Sequence, residues 1–139
     1  MDKLFLDTSY VIALSVPKDQ NHEKATKIAD FLEMEPARII TTRAIALEIG
    51  NALSPKKYRQ SAAELLESLE EEPNIEIIPI TEELYTRALR LFKDRMDKEW
   101  GIIDCMSFVV MKDQGISSAL TADKHFRQCG FEALICDPE

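Results

Sequence analysis

Residues 3–9, KLFLDTS, decide how this chain is read. The apolar run Leu4-Phe5-Leu6 has the length of a buried strand. Asp7 ends it, and Thr8-Ser9 follow, the pattern of a helix start with a side-chain cap. A strand running directly into a helix leaves Asp7 at the carboxyl end of the strand, the edge at which open α/β sheets bind ligands. Three further acids lie beside apolar segments: Glu48 in AIALEIGNAL, Asp104 in WGIIDCMSFVVM and Asp123 in ALTADKHF. If the fold gathers the four, they form a hard-cation site of oxygen ligands.

Outward from that segment, short apolar strands alternate with helices. Residues 3–7 read as the first strand and Ser9 to Ser15 as a short helix, with a turn at Pro17-Lys18-Asp19. A helix over Asn21 to Met34 carries Ala25, Ile28, Ala29 and Leu32 on one face and ends before Pro36. Arg38 to Thr41 is the second strand, and Thr42 caps a helix over Ala44 to Leu53. Ser54-Pro55 reads as an N-cap and first-turn proline opening a helix over Lys56 to Glu71, with Ala62, Leu65, Leu66 and Leu69 apolar. Ile75, Ile77 and Ile78 form the third strand; Thr81 then caps a helix from Glu82 to about Lys98. Trp100-Gly101 is a loop, Ile103 to Gln114 a helix stopped by Gly115, and Ser118 to Thr121 the fourth strand. A short helix over Asp123 to Cys129 and a strand over Phe131 to Cys136 complete the chain. The alternation predicts an α/β fold with a mostly parallel sheet and helices on both faces. No repeat, low-complexity tract or linker divides residues 1–139, so they read as a single domain.

The totals exclude several function classes. A chain of 139 residues, 45% hydrophobic and 30% charged, reads as one globular domain with a real core. No apolar stretch approaches the roughly 20 residues of a membrane span, and no signal-peptide pattern opens the sequence. Cys105, Cys129 and Cys136 are odd in number and form no CxxC, which suggests reduced thiols in a cytoplasmic protein. The net charge of -8 argues against nucleic-acid binding by charge alone. It does not argue against an enzyme acting on nucleic acid, because bound divalent cations invert the sign of an acidic pocket. Lys56, Lys57 and Arg59 are the densest basic cluster, equally readable as a solvated helix start.

The acids are too far apart in sequence for anything but tertiary structure to unite them. Grouped carboxylates repel, and one or more takes up a proton unless a cation balances them. All-oxygen sites suit Mg2+ or Mn2+. Such ions lower the pKa of water and stabilise a leaving oxygen, which permits phosphodiester hydrolysis without a side-chain nucleophile. Each acid also has a simpler reading: Asp7, Asp104 and Asp123 as helix caps, Glu48 as a surface position on its helix.

With these residues in view, the segments FLDTSYVIAL, TTRAIALEIGNAL, IIDCMSFVVMKDQGI and ALTADKHFRQCGFEAL together resemble the PIN-domain ribonucleases, most closely the VapC-like toxins of prokaryotic toxin–antitoxin pairs. The resemblance runs from the first strand to the last. It implies a three-layer α/β/α fold with Asp7, Glu48, Asp104 and Asp123 as the catalytic, metal-binding acids. It implies Thr8, Ser9, Asn51 and Thr121 as polar neighbours that hydrogen-bond the carboxylates or metal waters. It further implies Mg2+- or Mn2+-dependent cleavage of RNA, frequent homodimers, and inhibition by a small antitoxin protein that occludes the acidic site. One departure is Ile103, where the family often has Ser or Thr before the third acid; a polar contact is lost there, but no ligand.

Other residues carry less. His125 close behind Asp123 could be a general base, but packing or capping is the stronger reading. His22 reads as exposed in a helix N-terminal turn. Trp100 could stack on a base but suits a loop anchor better. Ser107 lacks a His–Asp partner pattern, and no GxxxxGK[ST] or GxGxxG loop is present. Two other classes stay open at this point. One is a PIN-like domain that binds RNA or protein without cleaving. The other is a phosphorylated signalling domain of flavodoxin-like topology, which would need a lysine at the end of its penultimate strand.

Overall fold

The computed structural model describes residues 3–138. Five parallel strands form one sheet: β1 (Lys3–Leu6), β2 (Arg38–Thr42), β3 (Ile75–Ile78), β4 (Ser118–Leu120) and β5 (Glu132–Ala133), in the spatial order β3-β2-β1-β4-β5. Seven helices connect them: α1 (Thr8–Ser15), α2 (His22–Met34), α3 (Arg43–Ala52), α4 (Lys56–Glu71), α5 (Glu82–Asp94), α6 (Ile102–Gln114) and α7 (Lys124–Gln128). β1 is the central strand, with Phe5 in register with Ile40 on one side and Ala119 on the other. Its apolar residues are therefore covered all round, and Leu4, Phe5 and Leu6 are buried.

Topology and handedness assign the layers. From β1 through β2 to β3 the chain travels one way across the sheet; from β3 through β4 to β5 it travels the other way. Right-handed crossovers then put α1–α4 on one face and α5–α7 on the opposite face. The contacts agree: α1 packs on α2 and α3, α3 on α4, α5 on α6, and α6 on α7. The result is the expected three-layer α/β/α arrangement. The reversal falls between β1 and β4, and a crevice at the carboxyl ends of those two strands is where such sheets bind ligands.

Several elements differ from their sequence reading. α5 ends at Asp94 rather than near Lys98. Lys98 N–H bonds the Arg95 carbonyl, and the Arg95 guanidinium grips Asp97 through two bonds of 2.9 and 3.0 Å, closing a turn where the helix was expected to continue. β5 spans two residues instead of six. Glu132 and Leu134 donate in alternation to Ser117 and Ala119, but Ile135 rather than Cys136 then bonds Thr121, so the ladder loses its period. Pro55, not Ser54, is the N-cap of α4; the Ser54 hydroxyl bonds back to the Asn51 carbonyl. His22 is half-buried, with Nδ1 2.7 Å from the Ala13 carbonyl, where an exposed position was expected. Gly115 does stop α6, in the left-handed conformation at φ 68° that glycine adopts without a Cβ penalty.

The α5–α7 face carries an aromatic cluster. Phe126 lies edge-on to Phe108 at 5.0 Å between ring centres, and Phe108 edge-on to Trp100 at 5.0 Å. Phe126 also meets Phe5 of the central strand at 6.2 Å. Rings in these geometries contribute about 0.5–1.5 kcal/mol per pair beyond their burial. They tie α6, α7 and β1 to one another, and these elements carry or adjoin three of the four candidate acids. Trp100 is thereby committed to the fold: it is buried, donates Nε1–H to Gln128 at 2.9 Å, and is covered by the Arg95 guanidinium. Among the described residues no helix is long and apolar enough to cross a membrane.

Candidate metal centre

Asp7 ends β1 and is the N-cap of α1. Its Oδ2 accepts from the Thr121 hydroxyl at 2.7 Å, the Ser9 hydroxyl at 2.9 Å and Ser9 N–H at 3.4 Å. Thr121 follows β4, so these bonds lock the ends of the two central strands together. The Ser9 hydroxyl lies 3.0 Å from that of Thr121 and accepts from Ala122 N–H at 2.9 Å, extending the network to the loop before α7. Asp123 caps α7, its Oδ1 accepting from His125 N–H at 2.9 Å. Asp104 lies in the first turn of α6, and its Oδ2 reaches back to Gly101 N–H at 3.1 Å. Glu48 is half-buried on α3, and its Oε1 accepts from the Thr8 hydroxyl at 2.6 Å.

One regularity covers all four. Each carboxylate is held through a single oxygen, Oδ2 of Asp7, Oε1 of Glu48, Oδ2 of Asp104 and Oδ1 of Asp123. The second oxygen of each has no hydrogen-bond partner among the described residues. A caps-only role for Asp7, Asp104 and Asp123 accounts for the first oxygen; none of the second oxygens is buried without a partner, so each is open to solvent and available to a cation.

The electrostatics show which acids share a pocket. Burial pushes the Asp7 carboxyl above its usual range, the Thr121 and Ser9 donors pull it back, and the negative charge of Asp123 raises it further. Asp104 is likewise raised, by burial first and by the charges of Asp123 and Asp7, against the pull of Gly101 N–H and His125. Asp7, Asp104 and Asp123 thus act on one another's charge, Asp7 from a buried position and the other two from half-buried ones. Asp104, Asp123 and His125 form the tightest group, each offering a ligand atom within 4.8 Å of the others. Glu48 stands outside that group and joins the site through Thr8, the neighbour of Asp7.

Of the predicted polar neighbours, Thr8, Ser9 and Thr121 each hydrogen-bond an acid. Asn51 is exposed and bonds none of them. Ile103 is half-buried, and its carbonyl serves the Ser107 hydroxyl. Cys105, beside Asp104, is no competing ligand or nucleophile: it is fully buried, and burial pushes its thiol up to about 11. Two further contributors were missed or given less weight from sequence. Gly101 holds Asp104 through its backbone, signalled only by the i, i+3 spacing of a capping box. His125, read as packing, places its ring nitrogen against two acids.

The donor chemistry fits a hard divalent cation. Asp104 and Asp123 bring carboxylate oxygens within 4.8 Å of one another, and Asp7 is near enough to add to their charge, a setting that suits a hard divalent cation over softer ions.

Fold and site together define a class. The chain belongs to the PIN domain family, which it matches over residues 4–132. It is 24% identical over 128 residues to the 23S rRNA-specific endonuclease VapC20 of Mycobacterium tuberculosis, covering 92% of this chain and 95% of that protein. The crystal structure of Mycobacterium tuberculosis VapC20, a sarcin–ricin loop cleaving toxin, matches with a TM-score of 0.80 at 22% identity, over 92% of this chain and 95% of the other. FitAcB of Neisseria gonorrhoeae matches with a TM-score of 0.61 at 19% identity, over 94% of each chain.

Proposed function

We propose that this protein is a divalent-metal-dependent endoribonuclease and the toxin of a toxin–antitoxin pair. The observation that carries the reading is the set of four acids, each pinned through one oxygen and free at the other, at the switch point of a PIN-domain sheet. Asp7, Asp104 and Asp123 would hold one Mg2+ or Mn2+, and Glu48 would bind the same ion through water or a second ion. Thr8, Ser9 and Thr121 orient the carboxylates. When bound, the ion supplies a nucleophilic water at neutral pH and charge for the leaving oxygen. The buried network around Asp7 fixes its free oxygen in place and excludes bulk water from the other. Asp104 and Asp123 bring the charge that balances the ion. No side-chain nucleophile is needed, and Ser107 is buried against the Ile103 carbonyl.

The substrate is RNA. Because the relative at 24% identity is named for 23S rRNA, large ribosomal RNA is the first candidate. The setting is cytoplasmic. The partners are a cognate antitoxin, which would cover the acids and offer a cationic side chain to them, and a second copy of this chain. For the second copy, α5 presents exposed Tyr85, Leu89 and Phe92 along one side. Glu82 and Glu83 at its start and Arg90 and Lys93 near its end would complement one another across an antiparallel pair.

The test is cleavage of total RNA and of an isolated 23S rRNA fragment by purified protein, with Mg2+, Mn2+ or EDTA, beside Asp104→Asn. Discrete fragments that require metal and vanish in the variant support the reading. A folded protein that binds either RNA without cutting it under any metal overturns it in favour of a binding domain.

A further inference from the structure

His125 lies between two acids that come from different helices. Its Nδ1 is 3.1 Å from Asp104 Oδ2 and 3.4 Å from Asp123 Oδ1, while its backbone N–H caps the latter oxygen at 2.9 Å. No other hydrogen bond among the described residues connects Asp104 to Asp123. Their charges repel each other, and the ring donor between them opposes that repulsion. The ring is mostly covered, at 23% side-chain exposure. It projects from a helix anchored by the fully buried Phe126 next to it. The oxygens it touches are the ones already engaged by backbone donors, Gly101 N–H on Asp104 and its own N–H on Asp123. Asp104 Oδ1 and Asp123 Oδ2 are left free.

We propose that His125 is a positioning residue: its Nδ1–H on Asp104 Oδ2 and its backbone N–H on Asp123 Oδ1 clamp the two carboxylates so that their other oxygens converge on one divalent cation. The inference rests on the metal-centre reading above. A donor held by the oxygens that face away from the ion orients ligands without occupying a coordination position. That arrangement makes His125 necessary for tight metal binding and absent from the coordination sphere.

The test measures Mn2+ affinity by titration calorimetry in the wild type, His125→Phe, His125→Asn and Asp104→Asn. Pulsed electron paramagnetic resonance on the Mn2+ complex adds a direct look at the ligands. Loss of an orienting partner typically weakens metal binding about 10–100-fold, and that is the loss expected for His125→Phe. His125→Asn should regain most of it, because its Nδ2–H branches from Cγ as Nδ1–H does. The wild-type spectrum should show no directly bound nitrogen. Wild-type affinity in His125→Phe would reduce His125 to packing, and a strong nitrogen coupling in the wild type would make it a ligand; either result overturns the clamp. If His125→Asn is as weak as His125→Phe while both keep wild-type melting curves, the ring N–H is not what matters and the clamp falls. Failure of the wild type to bind Mn2+ at all would instead bring down the metal-centre reading itself, and the clamp with it.

Discussion

Asp7 shows how a single side chain serves structure and chemistry at once. One oxygen caps α1 and joins β1 to β4 through Thr121; burial and the nearby charge of Asp123 make the ionised form costly. A folded-state pKa above the unfolded one means that the native chain holds its proton longer. Stability therefore falls as pH rises from the ordinary carboxylate value of 3.8 through the raised one, and the cost persists above it. Asp7→Asn, which keeps a good capping residue, should match the wild type in acid and be the more stable of the two at neutral pH without metal. Urea melts of both proteins against pH check this, and a constant difference across pH contradicts it. Saturating Mn2+ should reverse the order. Ligand at 100 times its Kd adds about 2.7 kcal/mol to the protein that binds it, and only the wild type retains the full set of acids. In RNA cleavage, Asp7→Asn and Asp104→Asn should each fall to background while remaining folded.

At the scale of elements, the site is as rigid as the packing of α6 and α7. Phe126 is fully buried between Phe5 and Phe108, directly below His125 and Asp123 in sequence. Phe126→Ala should cost about 3–5 kcal/mol in chemical denaturation. It should also weaken Mn2+ binding in the fraction that stays folded, because the helix bearing Asp123 loses its anchor. A stability loss with unchanged metal affinity would separate core from site. The strands and most helices were legible from sequence because their signals are local: an apolar run ended by Asp7, threonine caps at Thr42 and Thr81, a glycine stop at Gly115. The departures come from side-chain and backbone bonds rather than from hydrophobic periodicity. α5 stops early because Arg95 turns back onto Asp97 and Trp100, and β5 stops early because Ile135 takes the Thr121 carbonyl out of turn. The first partner is close in sequence but carries no helix-stop signal, and the second lies 14 positions away.

For the whole molecule, the topology places the candidate acids. Two directions of travel across the sheet, with right-handed crossovers, bring the residues after β1 and β4 side by side, and the helix before β4 returns over the same edge. The four candidate acids could be picked out through their segments. That Asp7, Asp104 and Asp123 feel one another's charge required the fold, and so did the attachment of Glu48 through Thr8. The contact of the His125 ring with Asp104, across 21 positions, could not be read from a local pattern. The exposed face of α5 carries a prediction at this scale. Leu89→Glu together with Phe92→Glu should shift the sedimentation of the purified protein from dimer to monomer and leave its melting temperature nearly unchanged. Wild-type protein already monomeric at high concentration would contradict that use of the surface.

The central claim is that these carboxylates gather around a divalent ion. Anomalous diffraction from crystals of the wild-type protein soaked in Mn2+ addresses it most directly. The account predicts a peak bounded by the free oxygens of Asp7, Asp104 and Asp123, with Glu48 close enough to bind through water, and no peak there in Asp104→Asn crystals. A map with no manganese among these residues, or with manganese held elsewhere on the surface, would contradict it.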